Sequence, residues 1–224
     1  MPDALLAASD TPFSISRYWA QGDAISHAVA FLLLAMSLVS WFLILSKGFS
    51  LYRVRSAAPA VEAFWAAPNL KDGIALLNVA DSEDVFAPLP TYGLAHSVGA
   101  RTLAGEMSRD EQVIRVLRQQ ITRSTHRIES GLTFLASVGA TAPFVGLLGT
   151  VWGIYHALAN VSAAGIVQID KIAGPVGEAL IMTGFGLVVA IPAVLAFNAF
   201  NRLNRVTQAE LDGFAHDLHS YFTK

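Results

Sequence analysis

Apolar residues are concentrated in three long stretches of the chain, which are 25–45, 131–158 and 172–200. Each is long enough to cross the hydrocarbon of a bilayer, which takes roughly 20 apolar residues in a helix. Pro143, Pro175 and Pro192 fall inside the last two stretches. Proline is tolerated in spanning helices because neighbouring helices can satisfy the carbonyls that it frees. The pattern therefore predicts a polytopic membrane protein with three transmembrane helices.

The segment between the first two spans carries amphipathic helical patterns. Asn69 is a predicted N-cap for a helix that runs to Ala80, and Ser108 with Glu111 forms an S-x-x-E capping box. Apolar residues then recur at helical spacing into the second span, without a strong stop signal. We therefore predict one continuous helix from Ser108 to about Leu158. Arginines fill much of its remaining surface, which is more typical of a solvated face than of a binding site.

The C-terminal segment repeats this pattern, with Leu211, Phe214, Leu218 and Phe222 at helical spacing, and simple bundle packing is the preferred interpretation. Each helix outside the spans has little apolar surface, so we expect neighbouring subunits to help bury it. The predicted fold class is all-α, with three transmembrane helices extended into a cytoplasmic helical bundle.

Composition supports solvation by lipid. The 224 residues are 54% hydrophobic and 14% charged, whereas soluble domains carry about 25% charged residues. The net charge of −2 is too small to indicate a nucleic-acid partner, and the absence of cysteine excludes disulfides and thiolate chemistry.

Basic residues set the expected orientation, because lysine and arginine favour cytoplasmic segments. Only Arg17 and Lys171 fall on one side of the three spans, and the other thirteen basic residues fall on the opposite side. This predicts an inner-membrane protein with a periplasmic N-terminus and a cytoplasmic C-terminus. The predicted domains are a periplasmic segment 1–22 with an interfacial helix, spans 23–46, 131–158 and 172–201, a cytoplasmic domain 47–130, a periplasmic loop 159–171 and a cytoplasmic helix 202–224.

Motifs of soluble enzymes are missing from the sequence. It contains no G-x-x-x-x-G-K-[ST], H-E-x-x-H or G-x-S-x-G pattern. His216 and His219 share a helix face, but a metal site needs more ligands than two. His156 lies near the outer end of the second span, where an interfacial role is favoured over a titrating one. We expect no enzyme activity, no metal and no cofactor.

Glu178 is the only formally charged residue between Lys171 and Arg202. A carboxylate in a span costs roughly 2.5–3.5 kcal/mol on insertion scales and usually faces a bundle interior or a water-filled path. It lies about 9 Å into the span by helical rise, so an acid at the outer boundary is the alternative. A functional position, facing a bundle interior or a water-filled path, is favoured over the boundary alternative.

Thr150 and Thr183 lie deeper, in apolar segments that are rich in glycine. Each hydroxyl could simply bond back to its own helix. Both positions are roughly 10–16 Å deep by helical rise, so antiparallel spans could present the two hydroxyls at one level. Such a belt could hold water or accept a polar side chain from a partner.

Small residues predict where the spans approach closely, because small-xxx-small pairs allow backbone contact in lipid. The predicted packing positions are Gly146, Gly149, Gly153 and Gly184. The first span is rich in leucine and phenylalanine, and we expect it to face lipid.

The segments ATAPFVGLLGTVWGIYHAL (140–158) and GPVGEALIMTGFGLVVAIPAVLAFNAFNR (174–202) resemble the ExbB/TolQ/MotA proton-channel family, and within it the ExbB branch most. The resemblance implies a homo-oligomeric ring, usually a pentamer, in the inner membrane of a Gram-negative bacterium. It implies that the last two spans line a pore around a single-span ExbD-like partner, whose aspartate carries the proton. Thr150 in GTVWG and Thr183 in EALIMTG then face that aspartate. Glu178 is the family glutamate, which the resemblance together with its depth places at the pore entrance, with a role other than carrying the proton.

The resemblance further implies that the complex uses the proton motive force to energise a TonB-like protein for uptake across the outer membrane. The alternatives are a TolQ-like subunit of the Tol-Pal envelope system and a membrane scaffold that does not conduct. A stator of the MotA type is less favoured because the loops do not suggest it. The stoichiometry of the ring and the coupling mechanism are left open by the sequence.

Overall fold

The computed structural model describes residues 23–97, 108–164 and 169–223, and these residues form seven α-helices and no β-strand. The helices are α1 (Ala24–Ala57), α2 (Pro59–Ala66), α3 (Leu70–Ala80), α4 (Pro88–Ser97), α5 (Arg109–Glu129), α6 (Leu132–Ala164) and α7 (Ile169–Phe222). The predicted all-α fold is confirmed. The interfacial helix expected within 1–22 lies outside the described residues.

Three helices are long and apolar enough to span a membrane. These are α1 with 34 residues, α6 with 33 and α7 with 54. Helix α6 continues through Pro143, and α7 continues through Pro175 and Pro192. The prediction of three spanning helices is therefore confirmed, while the boundaries of the domains stay predictions.

The chain divides into two compact units, and the first comprises the described parts of 1–44 and 134–197. It contains the apolar parts of α1, α6 and α7. Helix α1 buries a narrow stripe that includes Val29, Leu33 and Ser40, while Leu38 and Phe42 are more than 60% exposed. Most of the α1 surface in this unit is thus apolar and uncovered, as expected of a helix that faces lipid.

The second unit comprises 45–133 and 198–224 and has its own hydrophobic core. The predicted C-terminal stripe is buried there, since Leu211 and Leu218 have no exposed surface. Val113 and Leu117 of α5 belong to the same cluster. The expectation that neighbouring subunits are needed to bury these stripes is therefore wrong, because helices of one chain already cover them.

Both predicted helix caps are confirmed. The Asn69 side chain accepts a hydrogen bond of 2.9 Å from the backbone N–H of Asp72 at the start of α3. At the start of α5, the Ser108 hydroxyl accepts from the Glu111 N–H at 3.3 Å, and the Glu111 carboxylate accepts from the Ser108 N–H at 3.2 Å. These bonds satisfy N–H groups that the helix itself leaves free.

The predicted continuous helix from Ser108 to Leu158 is wrong, because α5 ends at Glu129 and α6 begins at Leu132. Gly131 has a φ of 82°, in the left-handed region that glycine enters at no steric cost and that commonly ends helices. The Ser130–Gly131 pair is therefore the stop signal that periodicity alone did not reveal.

Two side chains from other helices bind the carbonyls that this break frees. The Lys47 ammonium of α1 donates to the Arg127 carbonyl at 3.1 Å and to the Ser130 hydroxyl at 2.7 Å. The Asn204 amide of α7 donates to the Ile128 carbonyl at 3.3 Å. Partial burial lowers the pKa of Lys47, and the Glu83 carboxylate opposes that change. Three hydrogen bonds from side chains of α1 and α7 thus support the break.

Candidate functional site

The two threonines singled out by the sequence meet between α6 and α7. The Oγ1 atoms of Thr150 and Thr183 are 2.6 Å apart, which is hydrogen-bonding distance. Thr150 is 5% exposed and Thr183 is half-buried. The structure therefore places the two hydroxyls at one level, as the sequence predicts.

The hydroxyl protons of this pair can be assigned from the neighbouring acceptors. Thr150 Oγ1 lies 3.2 Å from the Gly146 carbonyl of its own helix and 3.0 Å from the Ala179 carbonyl of α7. A hydroxyl has one proton to donate. If Thr150 donates to either carbonyl, Thr183 must donate to Thr150. The Thr183 oxygen then keeps its acceptor sites for a further donor on its half-exposed side.

Close packing of α6 on α7 makes this bridge possible. A Cβ on Gly146 would lie 2.5 Å from the Met182 carbonyl oxygen and 3.0 Å from the Gly186 Cα, and a Cβ on Gly186 would lie 2.6 Å from the Ala142 carbonyl oxygen. Real Cβ atoms do not come so close to backbone, so both positions require glycine. The resulting backbone contact brings the Ala179 carbonyl within reach of Thr150.

The other predicted glycines divide into two groups. Gly149 and Gly153 lie at the contact, since added Cβ atoms would come within 3.1 Å of Met182 and 2.7 Å of Ala179. A Cβ on Gly184 would meet nothing within 4 Å. Gly184 therefore does not lie at the α6–α7 contact of this chain, whereas Gly186, two residues later, does. Packing of Gly184 against another helix stays a prediction.

Glu178 belongs to α7, five residues before Thr183. This places its backbone about 7.5 Å along the helix from Thr183 by rise. Its side chain lies outside the described part of the chain. The roles of Glu178, Thr150 and Thr183 in a proton pathway stay predictions.

One cluster of polar residues in this unit was not found from the sequence. Asp23 immediately precedes α1, and its carboxylate accepts from the Ser26 N–H at 2.9 Å and from the Trp152 indole N–H at 2.5 Å. The His156 Nδ1 lies 4.0 Å from the same carboxylate. An acid directly before a span is a recognisable N-cap signal, but its bond to a residue 129 positions away could not be read from spacing.

The chemistry available at the threonines is that of neutral donors and acceptors. Within the described ranges, no three His, Cys, Asp or Glu side chains cluster as a metal site would require. Threonine hydroxyls can hydrogen-bond a carboxylate or water, but they do not take up or lose a proton near neutral pH. The threonine pair therefore suits the recognition of a titrating group that comes from elsewhere.

Comparison with known proteins identifies relatives over most of the chain. The family model described as the MotA/TolQ/ExbB proton channel family matches residues 92–212. A biopolymer transport protein ExbB of Xanthomonas campestris pv. campestris is 49% identical over 210 residues, which cover 90% of this chain and 83% of that protein. An ExbB of Neisseria meningitidis is 41% identical over 202 residues, covering 88% of this chain and 92% of that protein.

A Tol-Pal system protein TolQ of Pseudomonas aeruginosa is also similar, at 35% identity over 179 residues, covering 74% of each chain. The similarity to TolQ is thus weaker and shorter than the similarity to these two ExbB proteins. The range matched by the family model, 92–212, includes both threonines.

Proposed function

This chain belongs to the MotA/TolQ/ExbB proton channel family, and on that premise we propose that it uses the proton motive force to energise a TonB-like protein for uptake across the outer membrane. The ExbB relatives identify the chain as an ExbB-type proton channel subunit of the inner membrane. The proposed role in energising a TonB-like protein is supported by the higher identity to ExbB than to TolQ and by the geometry of the threonine pair.

The observation that carries the proposal is the Thr150–Thr183 pair. At the depth of these threonines, the spans of this chain have no acidic or basic side chain that could carry a proton. Between Lys171 and Arg202 the sequence offers only Glu178, which lies nearer the outer end. A proton crossing the membrane needs a group that binds and releases it. We propose that an ExbD-like single-span protein supplies a carboxylate and that the threonine hydroxyls hydrogen-bond it.

The membrane potential is the energy source that fits this chain. Moving one charge through the membrane releases about 2.3 kcal/mol per 100 mV, and the sequence has no phosphate-loop motif for nucleotide hydrolysis. The chain then takes part in conduction and coupling as one subunit of a complex, without enzyme activity or a cofactor of its own.

Assembly and orientation complete the proposal. The subunit forms a homo-oligomeric ring, a pentamer by family resemblance, with lipid around it and the ExbD-like helix inside. The N-terminus is periplasmic and the C-terminus is cytoplasmic, which is supported by the distribution of lysine and arginine.

A deletion strain separates the proposed role from its nearest rival. Loss of growth on scarce iron chelates, restored by the intact gene, is the expected result for a subunit that energises uptake. Detergent sensitivity with normal growth on those chelates would instead establish a TolQ-like envelope role. The 35% identity to a TolQ protein is the observation that supports this second candidate function.

Two substitutions separate a proton motor from a passive scaffold. Thr150→Val and Glu178→Ala should each impair uptake while the complex with an ExbD-like partner still assembles. Uptake that survives both changes would contradict the motor and favour the scaffold. The mass of the detergent-extracted complex, alone and with the candidate partner, reports whether assembly is intact.

A further inference from the structure

An open groove runs between α2 and α7 in the second unit. It encloses about 1300 Å³, open solvent included, and Val61, Trp65, Val206 and Phe214 supply much of its apolar surface. Trp65 is 41% exposed and Val206 is 47% exposed, although both lie beside a well-packed core. Large apolar side chains left uncovered around a concave surface commonly mark an interaction site.

Three carboxylates line this groove, from Glu62 of α2 and from Glu210 and Asp217 of α7. All three residues are exposed, and none has an ion-pair partner among the described residues. Arg55 is the one basic residue in the lining. The groove therefore presents a surplus of negative charge beside aromatic surface.

At one end of the groove, aromatic surface and negative charge lie side by side. Trp65, Asp217, Ser220 and Tyr221 line a recess there. The rings of Trp65 and Tyr221 are 6.1 Å apart between centroids and steeply inclined to each other. Exposed aromatic faces next to a carboxylate are the surroundings that a guanidinium prefers, since it stacks on rings and forms paired hydrogen bonds to carboxylates.

The same unit carries a matching basic surface on α5. The helix buries Val113, Leu117 and three further positions on one face, which leaves arginines on the outward half of the helix. Arg118 and Arg123 are exposed and have no carboxylate partner among the described residues, and Arg115 is exposed one turn before Arg118. Arg127, farther along α5, binds the Glu83 carbonyl and the Asp84 carboxylate of the same chain.

We propose that the α2–α7 groove of one chain receives the arginine face of α5, around Arg115 and Arg118, from a second copy of the same chain. The two surfaces are different parts of one unit, so the contact joins copies head to tail. Head-to-tail contacts generate closed rings when the rotation between copies closes. The inference rests on the homo-oligomeric ring of the proposed function and names the surfaces that join its members.

Charge is what favours a second copy as the occupant. The groove and the α5 face have opposite charge, and complementary potentials guide association and suppress wrong partners. Each copy supplies one groove and one α5 arginine face. In a closed ring, every groove and every α5 face is therefore occupied.

Site-directed cross-linking tests the contact directly, and the natural absence of cysteine gives a clean background. One full-length chain carries Arg118→Cys, another with a different tag carries Asp217→Cys, and both are produced in the same cells with the ExbD-like partner. A short bismaleimide added to isolated membranes should join the two tagged chains. The matched control replaces Arg118→Cys by Val79→Cys, which is 87% exposed on α3 outside the groove and should give no mixed product.

Charge reversal provides the second arm. Glu210→Arg with Asp217→Arg, or Arg115→Asp with Arg118→Asp, should each reduce the assembled fraction at least tenfold, and the four changes in one chain should restore it. All four sites are exposed, so helical content measured by circular dichroism should be unchanged.

The outcomes separate this inference from the proposed function. A mixed cross-link with rescue by the fourfold variant supports the groove as the joint. An intact oligomer that gives no mixed product and ignores the charge reversals overturns the groove contact and leaves the uptake role standing. A chain that stays monomeric in membranes, with or without the partner, overturns the ring and the groove together.

Discussion

The hydroxyl oxygens of Thr150 and Thr183 lie 2.6 Å apart, and Thr150 also reaches the Ala179 carbonyl at 3.0 Å. Two residues separated by 33 positions thus share one hydrogen-bond network between α6 and α7. The network leaves acceptor capacity on Thr183, whose side chain is half-buried. A carboxylic acid of a partner could donate there when it is protonated.

Thr150→Val tests the network with little change in shape. The variant should assemble normally and lose about 1–3 kcal/mol of stability, because Thr150 loses both the bond that it donates to a carbonyl and the bond that it accepts from Thr183. Uptake should fall about 10-fold if a hydrogen bond donated by the protonated partner acid, worth up to about 1.5 kcal/mol, depends on the pair. Uptake driven by the proton gradient in whole cells is the measurement.

Thr150→Ser is the matched control for that change. It keeps the oxygen and its proton and removes only a methyl group, so uptake should stay within a few-fold of the natural chain. Equal loss in the serine and valine variants would mean that packing, and not the hydroxyl, is what matters at this position.

Gly146→Ala should weaken the α6–α7 contact. Its Cβ would lie 2.5 Å from the Met182 carbonyl oxygen, so the helices must separate, and overpacking of this kind costs about 1–3 kcal/mol. Gly184→Ala is the control within the same unit, because its Cβ meets nothing within 4 Å. Thermal unfolding in detergent should show a lower midpoint for the first variant only. Equal midpoints would contradict the close contact described for Gly146 and Gly186.

Gly131→Ala should destabilise the break between α5 and α6. Alanine at a φ of 82° is strained by about 1 kcal/mol or more, whereas alanine in a helix interior is favoured over glycine by roughly 0.5–1 kcal/mol. Gly48→Ala, in the interior of α1 with nothing near its Cβ, should therefore be stabilising. The two variants should shift the urea midpoint in opposite directions. A stabilised Gly131→Ala chain would mean that α5 and α6 form one helix.

Trp152→Phe should loosen the link between α6 and the start of α1. The indole N–H donates to the Asp23 carboxylate, and a bond to a charged group contributes about 1.5–3 kcal/mol. Trp41→Phe, on an exposed part of α1, is the control and should change stability by much less. A double-mutant cycle with Asp23→Asn checks the assignment, since an additive result would show that the two side chains do not interact.

The sequence predicted local features of the fold well where a few neighbouring residues decide them. Asn69 and the Ser108–Glu111 pair cap helices as expected, because capping depends on side chains within one turn. The buried stripe that includes Leu211 and Leu218 followed from helical periodicity alone. Its partners within the same chain did not follow, because periodicity identifies a buried face without saying what covers it.

The features that the sequence did not predict depend on backbone conformation and on contacts between residues that are distant in the sequence. Gly131 fits the periodicity of a long helix, because the sign of its φ depends on local packing that no periodicity records. Gly184 and Gly186 are both small, and which of them contacts α6 depends on the packed arrangement. The threonine level could be predicted because helical rise converts residue number into depth, whereas the bond between Asp23 and Trp152 required the packed arrangement.

The Gly146–Gly186 contact has a consequence for where ions can travel. A methyl group does not fit between α6 and α7 at this point, and a water molecule is about as large as a methyl group. At this level a water molecule therefore does not pass between the two helices of one chain, and Thr150 binds a carbonyl across the same contact. In the proposed complex the conduit then runs along the outward faces of the helix pair, where one subunit supplies only part of its wall and the ExbD-like partner supplies another part.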